Sequence, residues 1–165
     1  MIFVTVGTHE QPFNRLVEYM DKWADEHDEE VIMQTGFSTY EPKHCEWSKL
    51  YPYSQMVELV EKSGIVITHG GPSSFIMPLQ VGKIPIVVPR KKEFDEHVND
   101  HQVEFAKAVV ERQGNIIVVD SISELGQAIS SYNAVVSSMS NALCSNNGRF
   151  NTKLEKIVIK MFEVK

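Results

Sequence analysis

The sequence predicts an α/β fold: one domain whose parallel sheet is covered by helices on both faces. Short apolar runs at residues 2–6, 31–33, 65–68, 84–88 and 116–119 alternate with stretches whose apolar residues recur at helical spacing. The runs are apolar throughout and do not alternate with polar residues, as expected of strands buried on both sides. A length of 165 residues, 42% of them hydrophobic and 23% charged, suffices for one core and argues against a second. Together these features predict a doubly wound, Rossmann-like sheet.

The elements follow in order. Ile2-Phe3-Val4-Thr5-Val6 is a strand that stops at Gly7. Pro12 fits a first helical turn, and Phe13, Leu16, Val17, Met20 and Ala24 continue at helical spacing. Val31-Ile32-Met33 is a second strand, whereas the mixed polar stretch 36–47 predicts no element. Ser54 is a candidate cap for a helix carrying Met56, Val57, Leu59 and Val60, with Gly64 as its end. Ile65-Val66-Ile67-Thr68 is the next strand; helix is expected over 73–81, strand over 84–88, helix over 99–112 and strand over 116–119. Ser121 or Ser123 can cap a helix running through Ile129. The domain is expected to occupy residues 1–131, followed by a Ser- and Asn-rich linker or weak helix at 132–149. A terminal amphipathic helix at 150–165 carries an apolar stripe of Phe150, Leu154, Ile157, Val158 and Met161, which packs back on the domain or docks a partner.

Charge and composition exclude several classes. A formal charge of -6 and a pI near 5.5 lack the basic footprint of a nucleic-acid binder, so an anionic ligand must be held locally. The apolar runs fall far short of the ~20 residues of a membrane span, and no basic leader precedes the first, which predicts a cytoplasmic chain. Cys45 and Cys144 have neither the spacing of a zinc site nor that of a disulfide framework.

Ligands of open α/β sheets sit at the carboxyl ends of strands, and two junctions there suit an anion. In Thr68-His69-Gly70-Gly71-Pro72-Ser73-Ser74 a strand ends, two glycines allow close backbone approach, and two hydroxyls stand at a helix start. Free N–H groups and the positive helix end make a diphosphate cradle, to which His69 can add a hydrogen bond or a charge. A plain strand-to-helix turn with a serine cap is the structural alternative. Gly7-Thr8-His9-Glu10 is the similar loop after the first strand. Gly82-Lys83 lacks the remainder of a Walker loop, Gly71-Pro72-Ser73-Ser74-Phe75 is no nucleophile elbow, and no G-x-G-x-x-G follows the first strand. No Asp-x-Asp occurs. His97 and His101 have helical i,i+4 spacing, but no third ligand matches it, so no metal is expected.

These blocks, with Gly82-Lys83-Ile84-Pro85-Ile86-Val87-Val88-Pro89 and Asn99-Asp100-His101-Gln102, resemble the nucleotide-sugar half of GT-B glycosyltransferases related to glycosyltransferase family 28. The opening Met1-Ile2-Phe3-Val4-Thr5-Val6-Gly7-Thr8-His9-Glu10-Gln11-Pro12-Phe13 is similar to small single-half members of capsular and exopolysaccharide synthesis. It is similar also to the catalytic subunit of the eukaryotic dolichol-pathway N-acetylglucosaminyltransferase. The resemblance covers residues 1–130. It implies a UDP-sugar donor, with His69, Gly70, Gly71, Ser73 and Ser74 around the diphosphate and Gly7 and Thr8 facing it. Tyr51 falls where the family places an aromatic ring against uracil, and the backbone near Tyr53 and Ser54 would read the base edge. Asp100, His101 and Gln102, with Asn99, would hold sugar hydroxyls. The family's ribose-binding Glu is replaced by Met77, which leaves Gln80 or a backbone group for the ribose.

The resemblance further implies an inverting hexosyltransferase without a cofactor. His9 with Glu10 is a candidate base, unless a partner supplies it. The chain has length for one GT-B half only, so a separate membrane-associated subunit would bind the lipid-linked saccharide acceptor and hold this chain at the inner membrane face. A homo-oligomer is compatible with this reading. The alternatives are a non-catalytic UDP-sugar-binding or stimulating subunit and a flavodoxin-like interaction module.

Overall fold

The computed structural model describes residues 1–139 together with Thr152, Glu155, Lys156 and Ile159, which are helical and carry exposed side chains. The strands are β1 (Ile2–Thr5), β2 (Val31–Gln34), β3 (Glu46–Ser48), β4 (Ile65–His69), β5 (Ile86–Val88) and β6 (Ile117–Val118). They form a six-stranded sheet in the order β3-β2-β1-β4-β5-β6 with every pairing parallel, the doubly wound arrangement expected from the continuous apolar runs.

The helices are α1 (Asn14–Glu26), α2 (Tyr53–Lys62), α3 (Pro72–Gln80), α4 (His101–Gln113), α5 (Leu125–Ser130) and α6 (Tyr132–Ser138). Successive strand side chains point to opposite faces, so each strand feeds two cores. Ile2, Val4, Val31, Met33, Ile67, Ile86 and Val88 pack with Leu16, Val17 and Met20 of α1 and with Leu125 and Ile129 of α5. Phe3, Ile32 and Val66 face the other way, toward Val60 of α2 and Met77 of α3. Val87 joins Phe75 and Ala106 in a third cluster.

The element ends differ from the sequence-based expectation for local reasons. Pro12 lies before α1, which is entered from Phe13. Ser54 lies inside α2, whose first turn is preceded by Pro52 and has no side-chain cap. Gly64 does not end α2 either. Ser63 is its C-terminal boundary, and Nζ of Lys83 donates to the carbonyls of Val60, Glu61 and Ser63. Lys83 thus caps the end of α2, whereas Gly82, at φ +76°, follows α3. After β6 the chain makes a single 3-10 turn at Ile122–Glu124 before α5. α6 continues the domain: Tyr132 is buried and its hydroxyl donates to Ile84 O at 2.7 Å. The stripe of Phe150, Leu154, Ile157, Val158 and Met161 and most of the Ser- and Asn-rich stretch lie outside the described residues. No helix among the described residues is long and apolar enough to cross a membrane.

Candidate nucleotide-binding site

β1 connects toward β2 on one side of the sheet and β4 toward β5 on the other, so a crevice opens between their carboxyl ends. A cleft of about 720 Å³ lies there. It collects Gly7, Thr8 and His9 from the β1 loop, His69 from β4, and Ser73 and Ser74 from the start of α3. Tyr51, Tyr53, Met56, Val60, Met77 and Gln80 form the side toward α2 and α3. The two loops singled out in the sequence therefore face one cavity. Among the described residues its lining contains no Asp, Glu, Lys or Arg, so an anion placed there meets N–H groups, hydroxyls and imidazoles.

His69 is the centre of the loop after β4. Its Nδ1 accepts the Gly71 N–H at 3.0 Å, which places the ring proton on Nε2, 2.6 Å from Ser74 Oγ. Burial, then the nearby Arg90 charge, pushes the imidazole down to about 4, partly offset by a hydrogen bond with Gln102. His69 is thus neutral at physiological pH. It offers a ligand no charge and leaves the Ser74 hydroxyl proton free to point elsewhere. The glycines admit this ring. A Cβ on Gly7, at φ +74°, would stand 2.3 Å from His69 Nε2, and one on Gly71 would stand 2.2 Å from Cε1. The room left by Gly71 is filled by the protein's own histidine, and that beside Gly70 by Gln102, not by the open space expected for a diphosphate.

The loop after β1 is held from below. Arg90, fully buried, donates to Val6 O, Gln11 O and Glu96 O, and lies over the Phe13 ring at 4.8 Å. Glu96 in turn takes two bonds from Arg15, each 2.8 Å, and one from Lys91 N. Neither arginine stood out in the sequence; a charged residue two positions beyond the apolar run 84–88 was the available signal. His9 lines the cleft, stacks on His97 at 4.7 Å and pairs through Nε2 with Gln11 Oε1 at 2.9 Å. Its partner is therefore Gln11 and not the expected Glu10, which is exposed and outside the cleft lining.

The stretch 99–102 divides. Gln102 lines the cleft, and its Oε1 accepts Gly70 N at 3.0 Å and Arg90 N at 3.2 Å. His101 borders a neighbouring cavity of about 620 Å³ with Gly70, Gly71, His97 and Phe105. Asp100 is spent locally on Lys92 N and Asn99 on His101 N, and neither lines either cavity. His97 precedes α4 while His101 begins it, so the two do not share a helical face. Tyr51 meets Phe3 edge-on at 6.4 Å; burial, with the nearby Glu46 charge, holds its hydroxyl above the ordinary range. Tyr53 stands largely exposed at the cleft mouth, and Ser54 lies outside the lining. Thr5 and Gln34, at the ends of β1 and β2, form part of the lining and were not anticipated.

The chain is similar in fold to the glycotransferase of kitacinnamycin, with a TM-score of 0.63 at 20% identity. That alignment covers 86% of this chain and 38% of the other, so the chain spans well under half of that enzyme's length. A weaker likeness, TM-score 0.47 at 18% identity over 72% of this chain and 31% of the other, is to the glycosyltransferase SnogD from Streptomyces nogalater. No curated protein matches the chain. The model of the glycosyltransferase family 28 C-terminal domain matches residues 1–147, most of the 165-residue chain, and the chain belongs to that family.

Proposed function

We propose that the chain is the donor-binding half of an inverting glycosyltransferase that moves a hexose from a UDP-sugar to a lipid-linked saccharide, as in capsular or exopolysaccharide synthesis. The carrying observation is the uncharged cleft in which Gly7, Thr8, Ser73 and Ser74 converge from two adjacent strand ends. In the reaction an acceptor hydroxyl oxygen forms a bond to the sugar anomeric carbon while the bond from that carbon to the diphosphate breaks. The acceptor proton passes to a base, and UDP leaves with the electron pair. The positive end of α3 and the Ser74 hydroxyl face the charge that develops on the departing diphosphate. His9 is the base this chain offers: with Nε2–H donated to Gln11, its Nδ1 is the basic nitrogen. In this reading a separate, membrane-associated subunit holds the acceptor and supplies the second half.

The test is a calorimetric titration of the full chain with UDP and UDP-sugars. Saturable binding that weakens about 10-fold or more in Ser74→Ala, without loss of fold, is expected. A chain that binds no nucleotide, or a Ser74→Ala variant that binds as tightly as the parent, contradicts the proposal.

A further inference from the structure

The loops after β1 and β5 meet beside the cleft at a glutamine that does not line it. Gln11 is half-buried, and each of its polar groups is held. Arg90 Nη1 donates to its backbone carbonyl at 2.7 Å. Its side-chain Nε2 donates to Asp95 O at 3.1 Å, and its Oε1 lies 2.9 Å from Nε2 of His9. A backbone carbonyl can only accept, so the bond to Asp95 decides which end of the Gln11 amide is which. The end that meets His9 is therefore the oxygen. It too can only accept, which puts the imidazole proton on Nε2.

The Asp95 carbonyl is itself fixed in place. Asp95 ends the 3-10 turn Lys92–Phe94 at φ +55°, the one non-glycine among the described residues in the left-handed region. Glu96, which follows, is buried, with its carboxylate bound by Arg15 and Lys91 N and its carbonyl by Arg90. His97 comes next and stacks on the His9 ring, with 4.7 Å between centroids and 21° between planes. Residues 95–97 thus hold His9 twice, through Gln11 at its edge and through His97 on one face. His9 lines the cleft and Gln11 does not. What remains to the cleft is the other face of the imidazole and its Nδ1 edge.

We propose that Gln11 is the positioning residue of the base: anchored on the Asp95 carbonyl, it holds His9 as the Nε2–H tautomer and keeps Nδ1 for the acceptor hydroxyl. The acceptor proton then passes to Nδ1 while Nε2–H stays on Gln11, and the imidazolium returns a proton to water after UDP leaves. The orienting group is a neutral amide, whereas Glu10, the carboxylate beside His9 in the chain, is exposed and outside the cleft lining. The inference rests on the proposed transfer reaction and adds to it the residue that decides which nitrogen receives the proton.

The experiment is nitrogen NMR of the histidine rings in the full chain at pH 8, for the wild type, Gln11→Met and Gln11→Glu, with thermal melts to confirm folding. In the wild type His9 is expected to carry its proton on Nε2 alone, with an N–H slow enough in exchange with water to be seen. Gln11→Met should lose that N–H signal and show both tautomers. Gln11→Glu should keep the wild-type pattern, because a carboxylate accepts the same N–H although it cannot donate to Asp95 O. A glutamine that merely ties the two loops together would make Glu behave as Met does. Saturating UDP should move the His9 Nδ1 resonance more than Nε2. A wild-type His9 that is protonated on Nδ1 or mixed, a folded Gln11→Met that keeps the single tautomer, a Gln11→Glu that loses it, or UDP that moves Nε2 alone overturns this inference and leaves the nucleotide-sugar reading standing. A chain that binds no UDP overturns both.

Discussion

At the scale of single residues, His69 shows how burial decides a role. The residue type and its place beside two glycines suggest either a hydrogen bond or a charge for a diphosphate. Its closure between Gly7 and Gly71, and its depression to about 4, instead make it a neutral strut that aims Ser74. The folded-state value lies below the unfolded one of 6.5, so the unfolded chain takes up a proton first as the pH falls. Stability contributed by neutral His69 is therefore complete above pH 6.5 and is lost between 6.5 and about 4, amounting to about 3 kcal/mol. In an NMR titration of the ligand-free chain the His69 ring should stay neutral, with its proton on Nε2, down to pH 5; a midpoint near 6.5 would contradict the strut. The ring's position in the loop was legible in the sequence. Its charge state was not, because that depends first on burial and then on Arg90, twenty-one residues away.

At the scale of elements, the strands were legible because a strand buried on both faces writes itself as an uninterrupted apolar run. The stretch 36–45 and the short edge strand β3 were not, because polar side chains of α1 hold them. Asn14 Oδ1 accepts the N–H groups of Thr39 and Tyr40, and Ser38 Oγ accepts that of Phe13. Asp21, fully buried, accepts Lys43 N at 2.9 Å, His44 N at 2.8 Å and the Tyr40 hydroxyl at 2.8 Å. Burial alone would raise this carboxyl, yet these bonds outweigh it and hold Asp21 below its ordinary value. No periodicity reports contacts between residues some twenty-five apart, as Asn14 and Thr39 are. Asp21→Asn replaces an acceptor oxygen by a donor facing donors, and should lower the unfolding free energy by about 2 kcal/mol or more in urea titrations at pH 7. The carboxylate's contribution is present above pH 3.8 and fades below it, so wild type and variant should converge in strong acid. An unchanged urea midpoint at pH 7 would show that the loop does not depend on Asp21.

At the scale of the whole molecule, the sheet order places the β1 and β4 loops side by side, and Arg90 ties the first of them to the segment after β5. The juxtaposition of the two glycine-containing loops could be anticipated from a parallel sheet. The buried Arg90–Glu96–Arg15 assembly behind them could not, since each member is an ordinary charged residue until the fold closes. The molecule thus presents a cleft at the carboxyl ends of its central strands, and the central claim is that a nucleotide occupies it. The most direct measurement is an amide NMR titration of the full chain with UDP. The account predicts that the largest shifts fall on Gly7, Thr8, Gly71, Ser73 and Ser74. Saturating shifts centred instead at the amino ends of the central strands, around Met1, Trp23 and Ile129, or no shifts at all, would contradict it.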